Sequence, residues 1–142
     1  MNSIEHYLPH AKPMILIDNI VSFGDDFIQT TVLINKNSVF FDEKGVPSYI
    51  ALEYMAQSIA AWNGLQARDM NEPPKIGFLL GSRKLILKVP FFKENDRLNV
   101  YGKLKYSDGE MASFECWVER NSEKCVHAIL NVYQPKNISN FY

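Results

Sequence analysis

A carboxylate and a carboxamide, Glu53 and Gln57, stand four residues apart in a stretch from Ile50 to Leu65 that is otherwise largely apolar. On a helix that spacing puts both on one face, among Leu52, Met55, Ala56, Ile59 and Ala60. An unpartnered carboxylate in such surroundings is costly, so it either finds a partner or holds its proton more tightly. Burial that favours the protonated carboxyl is how proteins make a general acid near neutral pH. The structural alternative is a thin solvated stripe, or a carboxylate paired with Arg or Lys, and periodicity alone does not separate the two. The imidazoles available as proton acceptors are His6, His10 and His127. Cys116 and Cys125 fall inside expected strands and read as buried free thiols of a reducing, cytoplasmic protein rather than a disulfide or metal site.

The elements that must hold these residues follow from the hydrophobic period. After an irregular opening bracketed by Pro9 and Pro13, Met14 to about Ser22 reads as a strand. Phe23-Gly24-Asp25-Asp26 turns the chain into a second strand with Ile28, Thr30, Val32 and Ile34 alternating. These two pair as a hairpin, and Asn35 to Val46 is loop. Pro47 suits the first turn of a helix and Ser48 its capping position. The helix is apolar on more than one face, so it is expected to be buried. Gln66 to Asn71 is its polar tail, and Pro73-Pro74 ends it. Lys75–Leu80 and Ser82–Val89 form one extended segment with a bulge or bend at Gly81. A meander follows: Leu98 to Tyr106, a turn at Asp108-Gly109, Ala112 to Val118, a turn at Asn121-Ser122-Glu123, then Val126 to Val132. Residues 136–142 are expected to fray.

At 142 residues, 46% of them hydrophobic, the chain is one domain, residues 1–142, with enough apolar material for a real core. Its formal net charge of −1 offers no global field for nucleic acid or an anionic membrane. Runs such as Met14–Ile17 and Ile76–Leu80 are far too short to span a bilayer. The residues from Met1 to His6 lack the basic and apolar regions of a secretion signal. A helix apolar all round needs a strongly curved sheet wrapped around it and a second subunit besides. The fold class is therefore α+β: a curved antiparallel sheet around one long central helix, the hotdog architecture, whose usual dimer joins two sheets edge to edge.

Short motifs in order along the chain carry a family resemblance. Ala51-Leu52-Glu53-Tyr54-Met55-Ala56-Gln57 resembles the Glu-x-Met-Ala-Gln helix of the 3-hydroxyacyl-carrier-protein dehydratases of fatty-acid synthesis. The stretch from Tyr7 to Asp18, with Leu8-Pro9-His10, resembles their Leu-Pro-His opening. Gly77 to Lys84 with Lys88-Val89-Pro90 resembles their post-helix strand. Phe114-Glu115-Cys116 and Asn131-Val132-Tyr133-Gln134-Pro135 are similar to the subfamily encoded in aryl-polyene pigment clusters. The position fourteen residues before Glu53, where the fatty-acid enzymes carry a catalytic histidine in a Gly-His-Phe-Pro loop, is Val39 here.

The resemblance implies dehydration of a 3-hydroxyacyl thioester on an acyl carrier protein to the trans-2-enoyl thioester, in fatty-acid-like or aryl-polyene chain elongation. It implies Glu53 as the acid and, with Val39 in the usual place of histidine, His10 as the substitute base. His10 has an equal structural reading, pinning the N-terminal segment through hydrogen bonds. Gln57 would orient Glu53 or the leaving water. Ser48 aligns with the glycine whose amide binds the thioester carbonyl, at a helix start whose dipole favours developing negative charge. Gly81 is carried over as a substrate-binding position. No metal or other cofactor is expected. The partners implied are the carrier protein with its phosphopantetheine arm and a second hotdog subunit, identical or different. Seven basic residues between Arg83 and Lys105, against Glu94 and Asp96, read either as a rim for an acidic carrier or as an ordinary solvated strand face. Two other functions stay open: a non-catalytic hotdog partner of an active dehydratase, and an acyl thioesterase using the same helix acid on water.

Overall fold

The structure is a computed structural model that describes residues 14–71 and 78–133. Pro47, at φ −55°, opens a single 3-10 turn, Ser48–Ile50, which runs directly into α1, Ala51–Asp69. Asn71, at φ 56°, ends it: the left-handed residue turns the chain, and its amide bonds back to the Arg68 carbonyl at 3.0 Å. From Ala51 to Ala67 no helix residue is exposed, so the helix is enclosed on nearly all sides, as its composition required.

The enclosure is a six-stranded antiparallel sheet in the order β1-β2-β6-β7-β8-β4. Its strands are β1 (Asn19–Phe23), β2 (Phe27–Leu33), β4 (Phe78–Leu87), β6 (Arg97–Asp108), β7 (Met111–Arg120) and β8 (Glu123–Tyr133). Strict alternation turns Ile28, Thr30 and Val32, Leu98 and Val100, Phe114, Cys116 and Val118, and Val126, Ala128 and Leu130 onto the helix. Where helix and sheet meet, polar groups are matched. The Thr30 hydroxyl lies 2.8 Å from Ser58 Oγ, which donates to the Tyr54 carbonyl at 2.8 Å. Trp62 and Gln66 both donate to the Gly24 carbonyl, at 2.9 and 3.0 Å, fixing the helix to the β1–β2 hairpin.

Three local features depart from the sequence expectation. The first strand begins at Asn19 rather than Met14. Asp18 still donates to the Thr31 carbonyl at 2.8 Å, but the Leu16 amide leaves the sheet for a side chain of the helix. A short pair, β3 (Val46–Pro47) with β5 (Phe91–Phe92), lies where only loop was expected. In β4 the expected irregularity at Gly81 is present, as a register shift between Leu79 and Gly81. A second shift, between Arg83 and Ile86, was not foreseen. The frayed tail expected at 136–142 and the Pro73-Pro74 stop lie outside the described residues. Among those residues no helix is long and apolar enough to cross a membrane.

Gly45 feeds β3 and hence the start of the helix. Its φ is +114°, and a Cβ there would strike the Phe92 carbonyl oxygen. Gly45→Ala therefore combines a strained backbone with a steric clash, at an expected cost of about 2 kcal/mol or more in urea unfolding. A loss below about 0.5 kcal/mol would show that the β3–β5 pair does not constrain the loop.

Candidate active site

Gln57 is the hub of the site. It is fully buried, and every part of its amide is used. Oε1 accepts the Leu16 N–H at 2.8 Å, while Nε2 donates to the Met14 carbonyl at 2.6 Å and to Glu53 Oε1 at 3.1 Å. Reversing the amide would set donor against donor and acceptor against acceptor, so these neighbours fix its orientation. A buried carboxamide thus closes a backbone pair like one more rung of sheet and holds the catalytic-acid candidate with its remaining N–H. The segment after Pro13 is drawn out of the sheet to meet it, which accounts for the late start of β1.

Glu53 sits one turn earlier on the same face, as the spacing requires. It is half-buried and shares a partly exposed stripe with Leu52, Ala56 and Ala60, an arrangement between the two that the sequence left open. This chain's own sheet leaves that stripe incompletely covered. Ser48 is buried, but its amide is committed elsewhere: it donates to the Pro90 carbonyl at 3.0 Å. The N–H expected to meet a thioester carbonyl is thus already hydrogen-bonded here, because the segment leading into β5 supplies an acceptor that the sequence did not reveal. Gly81 lies at the first irregularity of β4, with open space where a Cβ would project.

His10 and His6 lie outside the described residues, so the pairing of His10 with Glu53 is not part of the observed geometry. His127 faces away from the helix, its Nε2 2.9 Å from Glu115 Oε2. That hydrogen bond holds the Glu115 carboxyl below its ordinary range. Cys116 and Cys125 are free and buried, and burial pushes both thiols up. The seven-residue basic run does not form one rim. Arg83 and Lys84 are on β4, whereas Lys103 and Lys105 are on β6, with β7 and β8 between. A wide groove of about 870 Å³ beside β5 carries Lys36, Lys44, Lys93 and Arg120 together with Asp42, Glu43 and Glu94, so its charges nearly balance.

Sequence reasoning passed over Tyr54. Its ring packs on Phe92, and burial together with the nearby Asp18 carboxylate pushes its phenol up, so it stays a neutral donor. With Asp18, Asn35, Ser38 and Val39 it lines a cavity of about 220 Å³. An aromatic on a buried helix reads as core, and nothing local in the sequence marks its polar end.

Comparison with known proteins gives the family and supports the fold. The family model described as ApeP dehydratase, ApeP-like, matches residues 2–142. The 3-hydroxyacyl-[acyl-carrier-protein] dehydratase FabZ of Psychrobacter arcticus is 28% identical over 133 residues, covering 89% of this chain and 90% of the relative. A chain of the dehydratase heterocomplex ApeI:P from Xenorhabdus doucetiae superposes with a TM-score of 0.90 at 28% identity, over 99% of this chain and 96% of that one. A hypothetical thioesterase from Streptococcus pneumoniae, solved with coenzyme A, shares the fold at a TM-score of 0.61 and 11% identity, over 82% and 84% of the two chains.

Two outcomes follow from the bonds above. Gln57→Ala removes the partner of the half-buried Leu16 N–H and of the Met14 carbonyl, so it is expected to cost about 1–2 kcal/mol. Amide hydrogen exchange at Leu16 should then rise far more than in the meander, and equal protection in variant and parent would contradict the clamp. Glu115 has a depressed folded pKa, so its stabilisation is present above the ordinary value of 4.5 and lost as pH falls through the depressed one. Glu115→Gln should destabilise by less than about 1 kcal/mol at neutral pH, because the pair is partly solvated. That difference should vanish in acid unfolding series, and a difference that grows in acid would reverse the assignment.

Proposed function

The chain belongs to the ApeP-like dehydratase family, and from that membership and the site geometry we propose that it dehydrates 3-hydroxyacyl thioesters of an acyl carrier protein to trans-2-enoyl thioesters. The setting is fatty-acid-like or aryl-polyene chain elongation in the cytoplasm, with free thiols at Cys116 and Cys125 in keeping with a reducing compartment. The observation that carries the reading is the Gln57 amide, which ties Glu53 to the backbone at Met14 and Leu16. Met14 is four residues after His10, and four residues of chain span at most about 14 Å. The clamp therefore sets the root of the histidine segment beside the acid.

In the proposed reaction, neutral His10 removes a proton from C2 and the C2–C3 double bond forms. The C3–O bond breaks as Glu53 delivers its proton to the departing hydroxyl, which leaves as water. Proton return from the imidazolium to the carboxylate restores the starting state. Charge developing on the thioester carbonyl is met by the N-terminal end of the central helix. Ser48 contributes its own amide there if substrate displaces the Pro90 carbonyl. Gln57 is a positioning residue, and the open space at Gly81 gives the acyl chain or its pantetheine arm a passage past β4. The working unit is a pair of hotdog subunits, the second covering the stripe around Glu53.

One observation favours a second reading, that of a non-catalytic partner subunit: Val39 stands where the fatty-acid dehydratases keep their histidine. The thioesterase neighbour shares the fold alone and adds no support for hydrolysis. Incubating the purified protein with a 3-hydroxyacyl-carrier substrate separates all three, since the dehydratase yields enoyl-carrier, a thioesterase yields free acid, and a helper alone yields neither. His10→Ala is expected to lower hydration of a crotonyl-type thioester by about 100-fold or more. Full activity in that variant would remove His10 from the mechanism.

A further inference from the structure

Tyr54 ends in a hydroxyl that the fold around it does not use. The residue is 2% exposed, with its ring held against Phe92. Its carbonyl accepts from Ser58 Oγ, but among the described residues the phenol O–H has no acceptor. A buried hydroxyl left in that state is costly and calls for a partner. The residue lines a cavity of about 220 Å³ together with Asp18, whose charge is felt at the phenol. Oδ2 of that exposed carboxylate accepts the Leu33 N–H at 2.7 Å, and among the described residues Oδ1 accepts nothing. Asn35 and Ser38, also in the wall, are engaged within their own turn: Asn35 Oδ1 accepts the Asn37 N–H at 2.8 Å, and Ser38 Oγ accepts the Asn35 N–H at 2.9 Å. The cavity therefore offers a free donor and a free acceptor in a wall otherwise rich in aliphatic residues, Ile15, Leu16, Val32, Leu33 and Val39.

We propose that this cavity is a binding site for a neutral alcohol on a compact apolar body, the hydroxyl oxygen accepting from Tyr54 and its proton going to Asp18. Binding there needs no turnover, so the site stands or falls apart from the reaction assigned to Glu53.

The two polar groups together decide the ligand's charge. An anion would accept from the phenol but meets the Asp18 carboxylate, a like charge. An ammonium would answer Asp18 but has no lone pair for the phenol O–H. A hydroxyl accepts and donates through one atom, so it satisfies both. The aliphatic wall decides the rest of the molecule. It favours hydrocarbon over water, and since an apolar protein cavity of about 150 Å³ accommodates benzene, a six-membered ring fits here. The site is separate from the half-open stripe of Leu52, Glu53, Ala56 and Ala60, because Tyr54 faces inward. Leu16 joins the two places: it lines the cavity, and its amide is the one that Gln57 holds.

The test titrates cyclohexanol, cyclohexylammonium and cyclohexanecarboxylate into the full chain near neutral pH, following the backbone amides of Asp18, Leu33 and Ser38 by NMR. Cyclohexanol should shift those amides saturably and bind about tenfold more tightly than the carboxylate, and more tightly than the ammonium. Tyr54→Phe should weaken cyclohexanol about fivefold without lowering the unfolding midpoint, because the phenol O–H holds nothing in the fold. Asp18→Asn keeps an oxygen for the Leu33 N–H and removes the charge, so it should raise the affinity of the carboxylate about tenfold. That second variant keeps the question decidable if Tyr54→Phe does not fold. No saturable shift with cyclohexanol, equal affinity for the three probes, or an alcohol affinity indifferent to Tyr54→Phe would overturn the proposal.

Discussion

The buried amide of Gln57 is the constraint on which the rest of the site depends. A carboxamide without solvent must satisfy one acceptor and two donor positions within the protein. Here the Leu16 N–H, the Met14 carbonyl and the Glu53 carboxylate do so. Because each partner is of a different kind, the arrangement admits one orientation. It sets where the N-terminal segment leaves the sheet, where β1 begins, and how the Glu53 side chain is aimed. Fold and candidate chemistry meet in this one residue, since the same amide that replaces a rung of the sheet also holds the acid.

Around it the architecture follows from a helix with too little polar surface to face water. The sheet must curve to cover it, and the alternation in β2, β6, β7 and β8 is regular because all four turn the same face inward. The cover stops at the stripe of Leu52, Glu53, Ala56 and Ala60, which remains half-open in the single chain. The strand at the sheet's end, β4, is left with exposed leucines. Both features leave apolar surface open in the single chain, and the first of them carries Glu53.

The helix, the meander and the irregularity at Gly81 were legible in the sequence because each rests on local signals: periodicity, turn residues, one glycine in a strand. So was the side-by-side placement of Glu53 and Gln57. What was not legible depends on contacts distant in sequence. The Leu16 amide goes to a residue 41 positions away, and no propensity at Met14–Ile17 announces that those residues leave the sheet. The β3–β5 pair, two residues on each side, is too short to have a period, and it governs the fate of the Ser48 amide. Whether Glu53 is enclosed or on a solvated stripe stayed open because flanking composition does not say which stripe the chain's own sheet reaches. Basic residues close in sequence from Arg83 to Lys105 were dispersed by the meander onto strands far apart in the sheet.

The proposed acid, Glu53, lies on the partly open stripe of the central helix, and Val39 stands where the resembled fatty-acid dehydratases carry their histidine. Whether this chain performs chemistry or only supports a partner therefore turns on Glu53. The most direct measurement is dehydration of a 3-hydroxyacyl-carrier substrate by the assembled complex of this chain with its hotdog partner, with Glu53→Gln introduced in this chain alone. Loss of about 100-fold or more in kcat with the complex intact is the predicted result. Undiminished turnover would contradict the account and make the chain a helper.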